Sequence, residues 1–90
     1  MNTNQIALSS LALDLKRVAL GYHRGSIAMA DRFLKEACKR ADEADISLLK
    51  PYIQRVLKKI SLLNTDKTRI AEDAQMLSTL VQNYSITYLS

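Results

Sequence analysis

An all-α fold is predicted by three features of the chain. Apolar residues recur at steps of three and four in four successive segments, glycine and proline number only two and one, and almost half of the 90 residues are apolar. That composition favours a folded helical domain over a disordered tail. The expected arrangement is a single domain, residues 1–90, built as an antiparallel up-down-up-down four-helix bundle that homodimerisation completes or extends. At this length a core is small, so a partner that buries additional surface would add stability.

The first helix is expected from about Asn4 to Gly21, with Thr3 or Asn4 as N-cap. Leu8, Leu11, Leu15, Val18 and Tyr22 follow one face, and Ile6, Leu13 and Leu20 form a second stripe roughly opposite. Gly21 is the expected left-handed stop, and a turn through residues 21–25 is favoured over one continuous rod. The second helix, Ser26 to Ala44, is capped by Ser26 and presents Ile27, Ala30, Leu34, Ala37, Ala41 and Ala44, with Phe33 at the edge. Its alanines permit close approach of a neighbour. Asp31 with Lys35, and Glu36 with Arg40, are expected as i,i+4 pairs on its outer face.

The third helix is expected over about 48–63, with Leu49, Ile53, Val56, Ile60 and Leu63 inward and Tyr52 and Leu57 in support. Ser47 is its expected cap, and Pro51 falls in the first turn, where a missing N–H costs little. Asn64 is the expected stop and Thr65 or Asp66 the next cap, which implies a very short loop. The fourth helix is expected over 66–84 or to 88, with Ile70, Ala74, Leu77, Val81 and Tyr84 on one face and Tyr88 continuing it.

Residues able to do chemistry are sparse. There is one histidine, His23, and one cysteine, Cys38, with no second ligand at metal spacing, so neither a metal nor a cofactor is expected. Lys39 and Arg40 beside Cys38 would lower its thiol pKa if they folded toward it, although a small packed side chain is the expectation. The acidic group Asp42, Glu43 and Asp45 reads as a solvated turn that opens the third helix. No glycine-rich phosphate loop is present, and no small-molecule ligand is indicated.

Arg17, five intervening residues and His23 make a spacing that resembles the Arg-to-His motif of HEPN ribonucleases, which are also helical bundles. The match covers seven residues, with Val18 where that family usually has a polar residue and with the motif on the first helix rather than a later one. The resemblance implies that Arg17 would hold the scissile phosphate and His23 act on the 2′-hydroxyl, the site being completed across a dimer.

No catalytic residue is assigned from the residues themselves, and a non-enzymatic protein-interaction or assembly module is expected. Ile6, Leu13 and Leu20 exceed what one face of a bundle helix needs, so they are the expected interface with a second copy or another protein. The alternative is a nucleic-acid-binding or regulatory protein. Net charge is +4, and Lys50, Arg55, Lys58 and Lys59 make the third helix basic, with no acid between Leu48 and Leu63. No aromatic surface accompanies those lysines in the sequence, and Gln54 alone is too little for base readout. The apolar stretch Ile6–Leu15 is interrupted by Ser9, Ser10 and Asp14, so no membrane span is expected. The lone cysteine and the lack of a secretory start point to the cytoplasm.

Overall fold

Helix α1 (Thr3–Arg24) turns Leu8, Leu11, Leu15 and Val18 wholly into the core, as the apolar spacing predicts. The computed structural model describes residues 3–63, 65 and 67–89, and among these it has four α-helices and no strand. Thr3 and Asn4 do not cap α1 from outside, because both lie within it. The Asn4 amide instead pairs with the Asp45 backbone, accepting from its N–H at 3.0 Å and donating to its carbonyl at 3.1 Å.

The stop of α1 is Gly25 rather than Gly21. Gly25 takes φ +80°, its N–H donates to the Tyr22 carbonyl at 3.3 Å, and the Ser26 N–H donates to the Gly21 carbonyl at 2.8 Å. This pair of bonds is a Schellman closure, which satisfies the last carbonyls of the helix. Gly21 stays helical and serves packing: a Cβ there would lie 2.7 Å from the Cβ of Ala30.

Helix α2 (Ile27–Glu43) follows the turn, with Ser26 at its N-cap position but making no side-chain cap bond. Ala30, Leu34, Ala37 and Ala41 are buried, whereas Ile27 is exposed because it precedes Ala30, where α2 first meets α1. Asn4 with Asp45, Asp14 with Arg40, and Gly21 with Ala30 pair in opposite order along the two segments. The expected Asp31–Lys35 and Glu36–Arg40 pairs give way to longer-range ones: Asp31 binds Lys67, and Arg40 binds Asp14.

Asp45 then caps a short 3-10 turn, Ile46–Leu48, by accepting from the Ser47 N–H and hydroxyl. Helix α3 begins later than expected and spans Pro51–Leu62. Its N-cap is Lys50, not Ser47, because the residue before a proline is held in the extended region, here φ −65° and ψ 149°. Ile53, Val56, Leu57 and Ile60 are buried, with Leu49 and Leu63 closing the two ends of the stripe.

The connection to α4 (Ile70–Tyr84) is longer than the very short loop expected. Leu63 is the last core residue before Ile70, and Thr65, Lys67, Thr68 and Arg69 are all exposed, so the described part of this stretch has no apolar side chain to hold a helical turn on the core. The Thr65 N–H and hydroxyl both donate back to the Leu62 carbonyl. The expected stop Asn64 and cap Asp66 lie outside the described residues.

Ile70, Ala74, Leu77, Val81 and Tyr84 face inward along α4, and the buried Ser78 hydroxyl donates to the Ala12 carbonyl at 2.7 Å. Ser85–Leu89 then winds as a π-helix. That wider turn overturns the expectation for Tyr88: five residues after Tyr84 it is Leu89 that packs against the core, while Tyr88 is exposed.

Helix α1 packs chiefly against α2 and α4, and α3 packs against the same two. The radius of gyration, 12.2 Å, matches the compact-domain scaling of about 12 Å for this length. Among the described residues, no buried side-chain nitrogen or oxygen lacks a hydrogen-bond partner. Asp14, 5% exposed, is satisfied by the Arg40 Nε at 2.8 Å, with Arg17 at 3.8 Å.

Candidate functional site

Ile6, Leu13 and Leu20 lie seven residues apart on α1 and remain 51%, 48% and 40% exposed. Their stripe points between the flank that meets α4 and the flank that meets α2. Leu13 shares a shallow groove with Ser9, Lys16, Gln82 and Ile86, and Leu20 shares another with Ala71 and Gln75. No helix among the described residues covers this stripe.

The three cations of α3 divide between two flanks. Successive residues advance by about 100°, so Tyr52, Arg55 and Lys59 share the flank toward α4, while Lys58 turns toward α2. Lys59 accordingly lines a groove with Asp73 and Met76 of α4, and Lys58 lines one with Ala41 and Asp42 of α2. Lys50 precedes the helix, and its Nζ lies 4.8 Å from the centre of the Tyr88 ring.

Aromatic side chains do accompany the cations, contrary to the sequence expectation. Tyr84 is buried and accepts from the Lys50 N–H at 3.0 Å. Tyr52 meets its ring edge-on at 5.7 Å between centroids, and Tyr88 tilts against it at 4.9 Å. Tyr52 and Tyr88 come from distant parts of the chain, and no local spacing announces their meeting. Gln54 is committed elsewhere, donating to the Ile46 and Leu49 carbonyls at 2.8 and 2.9 Å.

Arg17 and His23 do not converge within one chain. Six residues along a helix advance by about 240° around its axis, which separates the two side chains onto different flanks. The Arg17 guanidinium lies 5.1 Å over the Phe33 ring on the α2 side, whereas His23 lines the α4-side groove with Leu20 and Glu72.

No family model, curated protein or solved structure matches this chain.

Cys38 is half-buried, and its thiol points at the Ile60 carbonyl at 3.9 Å. Burial, and secondly the charge of Asp42, push its pKa up, the reverse of what Lys39 and Arg40 would do. Arg40 is drawn away to Asp14. A further polar cluster joins the end of α1 to the segment before α4: the Tyr22 hydroxyl and the Lys67 ammonium both donate to Asp31 Oδ1. Among the described residues, no group of three or more His, Cys, Asp or Glu is placed to hold a metal ion. No helix among them is long and apolar enough to cross a membrane.

Proposed function

We propose that the chain is a non-enzymatic assembly module, an up-down-up-down four-helix bundle whose α1 stripe joins two copies in the cytoplasm. The observation that carries this reading is the line of Ile6, Leu13 and Leu20, apolar and exposed on one helix.

Charge favours one register of that pairing. In a parallel dimer, Lys16 on one flank of the stripe would meet Arg17 on the opposite flank of the partner, twice by symmetry. In an antiparallel dimer centred on Leu13, Ile6 meets the partner's Leu20, Lys16 faces Ser9 and Arg17 faces Ser10. The antiparallel arrangement thus buries the same three side chains without opposing like charges.

Light scattering behind size-exclusion chromatography tests the reading. The expected mass is twice the 10.1 kDa of the chain, falling to one chain in Leu13→Glu with helix content retained by circular dichroism. A 10.1 kDa species for the unaltered protein at about 100 μM, or a dimer that survives Leu13→Glu, overturns it.

A further inference from the structure

The strip that runs from Tyr88 through Lys50, Tyr52 and Arg55 to Lys59 combines two kinds of group. Its cations are Lys50, Arg55 and Lys59, all exposed, and its rings are Tyr52 and Tyr88, 41% and 51% exposed. The rings are held in place from beneath by Tyr84, which is itself fixed by the Lys50 N–H. Arg55 and Lys59 follow Tyr52 at about 4.5 and 10.5 Å along the helix axis. Within this stretch the sequence has no acid from Ile46 to Leu63, and the nearest carboxylate brought in by α4 is Asp73, beside Lys59 at the far end.

We infer that this strip binds single-stranded nucleic acid, with Tyr52 and Tyr88 stacking on bases and Lys50, Arg55 and Lys59 contacting the phosphates between and beyond them. Three polyanions would satisfy the cations, but only one uses the rings. An acidic peptide has no planar face to lay on them, and a duplex keeps its base faces stacked inside. A single strand offers a ring face and a phosphate at every nucleotide, which is the pairing this surface presents. Tyr88 is half exposed, and the Lys50 ammonium that rests over its ring at 4.8 Å is on a flexible stem, so a base that stacks there displaces it toward the adjoining phosphate. The strip lies on the α3 side of α4, away from the α1 stripe, so it neither needs nor competes with self-association there.

Fluorescence anisotropy of a labelled 15-nucleotide oligothymidylate at low salt tests the inference. Saturable binding is expected, tighter than to a duplex of equal length or to polyglutamate. The logarithm of the binding constant should fall against the logarithm of salt concentration with a slope of about −2, for three phosphate contacts on a single strand. Tyr52→Ala combined with Tyr88→Ala should weaken binding about tenfold or more, and the corresponding Phe pair should retain it, because stacking needs the ring and not the hydroxyl. Arg55→Glu, at an exposed position that cannot disturb the core, should also weaken it. No binding of the oligothymidylate, equal binding of duplex, or affinity unchanged by the Ala pair in a protein of unaltered helix content overturns the inference.

Discussion

Gly21 and Ala30 bring the backbones of α1 and α2 together so closely that a Cβ on Gly21 would lie 2.7 Å from the Ala30 Cβ. Neither atom belongs to a flexible side chain, so Gly21→Ala must force the helices apart. A loss of about 1–3 kcal/mol is expected from such overpacking. Gly25→Ala is a contrasting control: nothing lies within 4 Å, and its cost, about 1–2 kcal/mol, comes from φ +80° alone. Urea unfolding of both variants, with Ala30→Gly added to each, separates the mechanisms. Only the Gly21 variant should recover when Ala30 is shortened.

Arg40 neutralises the buried carboxylate of Asp14 from across the α1–α2 contact. Arg40→Met keeps the aliphatic stem but leaves Asp14 with only the more distant Arg17. Because the Arg40 side chain is itself 37% exposed, the expected loss is about 1–2 kcal/mol rather than the larger penalty of a fully buried pair. Asp14→Asn together with Arg40→Met should lose less than the two single losses summed, which a double-mutant cycle in urea measures.

Asp31 carries the clearest pH signature. The hydrogen bond from Tyr22, and then the one from Lys67, hold its carboxyl below the usual range. A depressed folded pKa contributes stability that is complete above the unfolded value of about 3.9 and is lost as pH falls through the folded one. Asp31→Asn should therefore lower the melting temperature at pH 7, and its difference from the unaltered protein should shrink as pH falls below about 4. At the alkaline end the sign reverses. Burial and the Asp31 bond raise Tyr22, so its contribution is present below about 10 and lost as pH rises through the folded value. A difference in melting temperature that is flat from pH 7 to pH 3 would show that Asp31 is not held by this pair.

Asn4 fastens the start of α1 to the end of α2 through two bonds to the Asp45 backbone. Asn4 is buried but Asp45 is exposed, so water can reach the freed backbone groups and Asn4→Ala should cost about 1–2 kcal/mol, the net value of the two lost bonds. Hydrogen exchange of the Asp45 amide should quicken by more than that of core amides such as Val81. Equal quickening at both would indicate global destabilisation instead of a local tie.

Apolar periodicity was enough to read the helical class and most of the inward faces. Leu8, Leu11, Leu15, Leu34, Ile53, Ile60, Leu77 and Val81 are legible as core because a 3.6-residue period is a property of one helix, readable without its neighbours. The surplus of Ile6, Leu13 and Leu20 was legible for the same reason, as was the first-turn place of Pro51. How the helices sit against one another is set by packing between segments and was not readable in any one of them. Two glycines lie within reach of the end of α1, and the close approach of Ala30 keeps Gly21 helical and leaves Gly25 to make the turn. The start of α4 at Ile70, the replacement of Tyr88 by Leu89 in the core, and the meeting of Tyr52, Tyr84 and Tyr88 beside Lys50 have the same origin. Each depends on the rotation and axial offset between helices, which side-chain packing sets and which no periodicity within a single segment records.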